Sequence, residues 1–520
     1  MTGGLATLVA WLVGYGGIVL AIGLLAARRS ARSPEEYFLA GRSLGTLVLF
    51  MALFGTNCTA FVLVGVPGQA YRDGIGIFGV NAPIVALGIP FTFLWIGIPA
   101  RRMAQRLGAL TPAELFARRF RSPALGVLLF FVFTIYTVPY IVLTVKGAAV
   151  TLEGISDGKI PLEVGAAFVL GLTVIYTSAG GMRSTAWTNV LQGLVFMSFL
   201  VAAFFLMSSS LGGLDAAMDA VHRTDPDLLR VAHGRLFEPR AWASWGLVIS
   251  LTVIAFPHML TRLLAARDER AVANVCRLYP VALVLLWLPA VLIGVWAAAE
   301  FPGLERPDQV FSLMSTEHLP TWMGPASAIV VLAAGMSTLD AMILTLSSML
   351  VRDVTEPFLG RGRLDQAGET VSRSAAASSP PSNAIRGVLA GRVFALLVAG
   401  VVYALTLAWG ESVFRIGEIA FSGYVTLAPT LALGVRWRRF TTAGATASIV
   451  TGNVLFLAGL MEWIPLFGFL PVFWAFVGAC LAGFLVSLAT PPSNGELVAR
   501  AFGPAPSGPA DRATQAAGVQ

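Results

Sequence analysis

The chain has 520 residues, 56% hydrophobic and only 12% charged, with a mean hydropathy of +0.78. Soluble proteins carry about 25% charged residues, so the composition excludes a soluble globular domain and indicates an all-α polytopic membrane protein. The net charge of +7 sits on arginines in short loops between apolar runs, which is a topology signal and not a nucleic-acid surface.

The N-terminus, MTGGLATLVAWLVGYGG, has neither a basic leader nor a clear cleavage site, so it is expected to be a first helix. Thirteen apolar spans follow hydropathy, at 6–26, 44–66, 74–99, 123–146, 160–178, 188–209, 241–260, 274–298, 323–351, 389–409, 413–434, 442–461 and 468–489. Every odd-numbered span exits into a basic loop: Arg28, Arg29, Arg32 and Arg42 after span 1, Arg183 after span 5, Arg436, Arg438 and Arg439 after span 11. The intervening loops are neutral, mixed or acidic. The excess of positive charge on one side places the N-terminus outside and the C-terminus in the cytoplasm. Residues 1–490 are thus one transmembrane domain. The segments 360–386 and 491–520, rich in Ser, Ala, Gly and Pro, are expected to be a flexible loop and a disordered tail on the cytoplasmic side. Spans 2–6 and 7–11 start an odd number of crossings apart, which permits two inverted five-helix repeats at about 44–209 and 241–434. Cys58, Cys276 and Cys480 are scattered, with no metal spacing and no disulfide framework.

Two stretches carry chemistry. In span 9, VLAAGMSTLDAMILTLSSMLVRD, a rotation of about 100° per residue puts Ser337, Thr338, Ala341, Thr345, Ser348 and Arg352 on one face. Lipid offers hydroxyls no partner, so this stripe should face protein, water or an ion. Adjacent hydroxyls at Ser337 and Thr338, beside Ala334 and Gly335, are hard oxygen ligands suited to a small dehydrated cation such as Na+. Most membrane Ser and Thr, however, bond their own helix or glue neighbours together, and from this stretch alone that plainer reading stands ahead. In span 2, Gly55-Thr56-Asn57-Cys58-Thr59 places weak helix formers at mid-membrane. A break there frees backbone carbonyls that can coordinate a cation. Close packing of a Gly-rich helix is the alternative.

Several stretches in order complete a pattern: YFLAGRSLG at 37–45, the Gly55–Gly68 segment, YTSAGGMRSTAWTNVLQ at 176–192, FPHMLTR at 256–262 and AAGMSTLDAMILTLSSMLVRD at 333–353. The chain resembles the sodium/solute symporter family, which includes bacterial proline, pantothenate and acetate carriers and the sodium/glucose cotransporters. The resemblance covers about Glu36 to Arg439. It implies a 5+5 inverted-repeat core with discontinuous helices. It also implies a Na+ site made by the carbonyls of Gly55, Cys58 and Ala334 and the hydroxyls of Ser337 and Thr338.

Asn57 stands where proline carriers have an acid, and Asn189 replaces a common Asp after Trp187 and Thr188. Asp340, about −60° around the helix from Ser337, is an intramembrane acid and so a candidate for the ion path, or for a bond to a neighbouring helix. Spans 2, 4, 7 and 11 are expected to line the substrate cavity, with Phe61, Tyr136, Tyr140, Thr144 and Trp245 as candidates. Lys146 either attracts a carboxylate or reaches to water. Arg415 and Glu418 pair at i, i+3, or one meets substrate. The Pro257-His258 pair is expected to be a structural signature near the inner end of span 7.

The sequence therefore describes a secondary carrier: Na+-coupled symport of a small organic solute (a monocarboxylate, an amino acid or a pantothenate-like acid) into the cell by alternating access. Its expected location is a bacterial inner membrane, with solute, Na+ and lipid as partners and no nucleic acid. A transporter-like sensor and an H+-coupled carrier are the rivals. No HExxH, no GxSxG and no cluster of His or carboxylates supports an enzyme.

Overall fold

The computed structural model describes residues 2–28, 39–231, 235–355, 357 and 381–503. Among them there is no β-strand, only a single bridge joining Leu44 to Ala266. Ten helices are long and apolar enough to cross a membrane, and two bent pairs raise the number to twelve. A shorter apolar helix, Leu162–Ile175, lies at the fifth expected span.

The two bent pairs define the architecture. Span 2 is Thr46–Asn57 followed by Phe61–Asp73, bent by 50°, and span 7 is Pro239–Ala255 followed by Pro257–Leu264, bent by 51°. They occupy the first position of each five-helix half, as an inverted repeat requires. In span 2, Cys58 turns extended at φ −88°, ψ 90°, and the Thr59 hydroxyl accepts the Phe61 N–H at 2.9 Å. In span 7, Pro257 lacks an N–H and forces Phe256 out of the helical region, to φ −67°, ψ 122°.

Burial separates core from scaffold. Span 9, Met323–Thr355, is wholly buried in its membrane window, whereas spans 1, 10 and 13 keep most of theirs exposed. All of span 9 therefore packs on protein, its Leu and Met face as well as its hydroxyl stripe. Backbones approach closely where glycine allows it. A Cβ on Gly294 of span 8 would lie 2.3 Å from the Pro67 carbonyl oxygen, and one on Gly68 would lie 2.9 Å from that of Pro307.

Three expectations change. The loop expected around Arg183 is helical backbone, inside a stretch that runs unbroken from Leu162 to Ser210. Its 49 residues would make a straight rod of about 74 Å, over twice the hydrocarbon core. Yet both ends meet the same end of the bundle. Gly165 packs on Ala149 near the end of span 4, and Ser210 bonds His318 just before span 9. Gly154 and Ser312 join those two regions. The stretch Leu162–Ser210 therefore does not run as a straight rod. Second, span 10 starts at Pro381, so the end of the expected 360–386 loop is helical, and residues 358–380 lie outside the described residues. Third, the expected disordered tail contains a helix, Gly495–Phe502, capped by the Asn494 side chain. Its Phe502 ring lies beneath the guanidiniums of Arg119 (5.0 Å) and Arg438 (5.4 Å), which hold it to the loops that follow spans 3 and 11.

Candidate functional site

The broken end of span 2 and the middle of span 9 meet. Thr46–Asn57 ends without a successor turn, so its last carbonyls need outside partners. The Ser337 hydroxyl lies 2.9 Å from the Gly55 carbonyl and 2.8 Å from that of Ala334. The Thr338 hydroxyl lies 2.8 Å from the Thr56 carbonyl and 3.3 Å from that of Ala334. Three carbonyl oxygens and two hydroxyl oxygens thus share two protons. All five residues are buried, and no carboxylate belongs to the set. Such a neutral cluster of hard oxygens fits a small cation of low charge. The plainer reading of the hydroxyls is the one the contacts show, since each bonds its own helix and the broken one.

Thr56 was not singled out in the sequence, because a backbone ligand carries no side-chain signature. Its own hydroxyl donates to Ala52 at 2.6 Å. Cys58 sits at the break with its N–H on Phe54, and among the described residues it has no hydrogen bond to either span 9 hydroxyl. Asn57 donates to the Tyr279 hydroxyl of span 8 at 2.7 Å. Asn189 lies 3.5 Å from the Thr56 hydroxyl, next to the cluster. One turn inward, Asp340 accepts from Thr188 at 3.4 Å and lies 4.0 Å from Arg262, whose guanidinium also donates to the Ala52 carbonyl. Asp340 thereby links spans 6, 7 and 9, and the helix-bridging reading of this acid holds.

A cluster of aromatic rings fills the space between the two breaks. Tyr140 contacts Phe256 (4.8 Å), Phe421 (5.1 Å) and His258 (5.9 Å), and Phe61 contacts Phe414 and Phe421 (both 5.1 Å). Spans 2, 4, 7 and 11 all contribute rings to it. Trp245 joins through Phe414, and its indole N–H donates to Asn81 at 2.8 Å. Tyr136 leaves the centre: its hydroxyl bonds Asn453 of span 12 at 2.5 Å. Thr144 bonds the Tyr140 carbonyl and packs against Gly335. His258 lies at the break of span 7, six residues before the end of its second helix at Leu264. It stacks on Phe256, fully buried, and neither ring nitrogen has a hydrogen-bond partner among the described residues.

The two ends of the site are tied off differently. At one end the Lys146 ammonium donates to the carbonyls of Trp409 (2.8 Å) and Glu411 (2.5 Å). Asp308 accepts the Val413 N–H at 3.0 Å, and burial pushes its carboxyl above the usual range. Arg415 pairs with Glu418 at 2.5 Å. At the other end Arg42 donates to the carbonyls of Leu264 (3.1 Å) and Ala109 (2.9 Å). Arg42 and Ala40 adopt φ of 54° and 48° around Gly41 at 61°, a strained turn that aims Arg42 at the end of span 7.

Comparison with known proteins agrees with this geometry. A sequence model of the Sodium:solute symporter family matches residues 37–452. The sodium/pantothenate symporter of Escherichia coli (strain K12) is 27% identical over 486 residues, covering 91% of this chain and 95% of that protein. The sodium/proline symporter of Salmonella typhimurium is 26% identical over 482 residues, covering 88% of each. Among solved structures, the substrate-bound outward-open state of a Na+-coupled sialic acid symporter matches with a TM-score of 0.75 at 15% identity, over 94% of this chain and 99% of that one. A nucleobase-cation-symport-1 family transporter in a closed conformation matches with a TM-score of 0.54 at 15% identity, over 90% of this chain and 98% of that one.

Proposed function

The chain belongs to the sodium:solute symporter family, with Na+ as coupling ion, and from that premise we propose that it carries a small organic carboxylate, an amino acid or a pantothenate-like acid, into the cell. The Na+ ion is held by the hydroxyls of Ser337 and Thr338 with carbonyls of Gly55, Ala334 and either Cys58 or Thr56. The observation that carries this reading is the contact of both hydroxyls with the freed carbonyls of span 2 at 2.8–2.9 Å. An ion there draws the hydroxyl lone pairs inward and fixes the broken helix to span 9. The solute binds next door among the rings of spans 2, 4, 7 and 11. Na+ and solute therefore favour the same closed arrangement, and each raises the affinity of the other by the same factor.

The solute class follows from the surroundings and from the relatives. The pantothenate and proline symporters both take carboxylates. The cluster itself presents rings and no acidic side chain, and the helix Pro257–Leu264 begins at its edge with unfilled N–H groups that favour an anion. The location is the inner membrane of a bacterium, with the C-terminus in the cytoplasm.

The test is uptake of labelled L-proline and pantothenate into proteoliposomes under an inward Na+ gradient. The reading expects accumulation that vanishes when choline replaces Na+. Uptake that ignores Na+ but follows a proton gradient would transfer the coupling to H+. Binding of a solute without uptake would favour a sensor.

A further inference from the structure

His258 is a polar group that the protein itself leaves unserved. It is fully buried at the break of span 7, between Phe256, stacked at 5.3 Å, and Tyr140, at 5.9 Å. Neither Nδ1 nor Nε2 finds a donor or acceptor among the described residues. Buried polar groups in folded proteins are nearly always satisfied, and an orphan carries its full desolvation penalty. Several buried polar groups of the same core are served: Trp245 bonds Asn81, Tyr279 takes a bond from Asn57, and Tyr424 lies 2.5 Å from the Thr137 hydroxyl. The Asn189 amide oxygen and the Trp296 indole N–H are, like His258, without a partner among the described residues. Tyr140, across from His258, likewise shows no hydrogen bond to its hydroxyl among the described residues, though its ring is packed on three sides. Two adjacent polar groups without protein partners therefore border the ring cluster at mid-chain of the carrier core, one from each half of the inverted repeat.

The position fits a ligand better than a fold role. The helix Pro257–Leu264 starts one residue earlier, so the free backbone N–H groups of its first turn lie beside the imidazole. Arg262, one turn on, is directed instead at Ala52 and Asp340. The imidazole thus faces rings and a helix N-terminus, with the Arg262 guanidinium in its neighbourhood but not hydrogen-bonded to it.

We infer that His258 is a specificity-determining residue that hydrogen-bonds the transported solute, with the Tyr140 hydroxyl on the opposite side. An imidazole supplies a donor and an acceptor, so it selects a solute that pairs a polar head with an apolar body able to lie among Phe256, Phe421 and Phe61. Solutes lacking the polar head leave the imidazole unpaired and are rejected. This inference rests on the carboxylate reading above and refines it.

The test compares full-length wild type with His258→Leu, which removes both nitrogens at similar volume, and with His258→Gln, which keeps a donor and an acceptor. Uptake of L-proline and pantothenate in proteoliposomes gives KM, and Na+-dependent thermal stabilisation of solute-free protein gives the Na+ half-saturation. The expected result for His258→Leu is a KM raised by about tenfold to a hundredfold, an unchanged Na+ half-saturation, and a solute-free melting temperature equal to or above wild type. His258→Gln recovers most of the affinity. A KM within twofold of wild type in His258→Leu overturns the inference. So does a fall in solute-free melting temperature shared by both variants, because a group that stabilises the fold is not an orphan held for a ligand. If wild type transports neither solute, the carboxylate reading fails by itself. The melting temperatures still judge His258: a stabilised His258→Leu supports the inference and a destabilised one overturns it.

Discussion

Gly294→Ala tests whether the broken span is seated as the structure has it. A Cβ at 294 would lie 2.3 Å from the Pro67 carbonyl oxygen, 2.8 Å from the Pro67 Cα and 2.9 Å from the Ala70 Cβ. Ordinary contact begins at 3.4 Å, so span 8 and the outer half of span 2 must separate by about 1 Å at this point. The obstructing atoms are mostly backbone, and no rotamer change relieves them. Overpacking of this kind costs about 1–3 kcal/mol, against a gain of about 0.5–1 kcal/mol from replacing glycine by alanine in a helix. Gly79→Ala is the control, since nothing lies within 4 Å of its Cβ position, and it should gain the propensity term alone. Thermal unfolding in detergent should therefore place Gly294→Ala below wild type and Gly79→Ala at or above it. Uptake should also fall in Gly294→Ala, because the displaced half-helix carries Phe61 and adjoins the ion site. Equal melting temperatures for the two variants would refute the close approach and the seating built on it.

Other predictions concern the end of the bundle where Glu114 and Phe502 lie. Glu114 bonds Arg118 at 2.5 Å, Arg352 at 3.1 Å and the Leu110 N–H at 2.8 Å, joining the loop helix Pro112–Phe120 to the end of span 9. Burial alone would raise its carboxyl, but the guanidiniums of Arg352 and Arg118 and the Leu110 amide outweigh it and hold it below the usual range. A depressed folded-state value contributes stability that is present above the unfolded pKa of about 4.3 and is lost as pH falls through the folded value. Glu114→Gln should therefore lose about 2 kcal/mol at neutral pH, and the gap from wild type in a pH series of melting temperatures should close in acid. Phe502→Ala removes the ring shared by Arg119 and Arg438, so limited proteolysis from the cytoplasmic side should cut near 495–503 at least several times faster than in wild type, while Na+-driven uptake is retained.

What the sequence disclosed, and what it did not, follows from the physics of each feature. The break of span 2 was legible because Gly55, Thr56, Asn57 and Thr59 are poor mid-membrane helix formers. The hydroxyl pair was legible because Ser337 and Thr338 interrupt a run that lipid would leave unpaired. Thr56 was missed because it contributes a carbonyl to Thr338, and every residue has one. Pro257 stands at the 51° bend of span 7, where the sequence offered the Pro257-His258 pair only as a structural signature. Its proximity to Tyr140 depends on helices far apart in sequence. Tyr136 and Tyr140 share a helix face, but that face is wide enough for one to meet Asn453 and the other Phe256. Lys146 was ambiguous because its partners are carbonyls at the end of span 10, which leave no mark in composition. The terminal helix was hidden in a Pro- and Ala-rich tail, since its anchoring comes from arginines more than sixty residues away in the chain.

The central claim is that one Na+ couples transport by joining Ser337 and Thr338 to the break of span 2. Its most direct test is the solute-evoked current of reconstituted protein on a supported membrane, in Na+ and in choline, for wild type and for the double substitution Ser337→Ala with Thr338→Ala. The account predicts a current that requires Na+ in wild type and collapses in the double variant, with protein still folded by its melting curve. A Na+-dependent current of undiminished size and Na+ affinity in the double variant would contradict it and place the ion elsewhere.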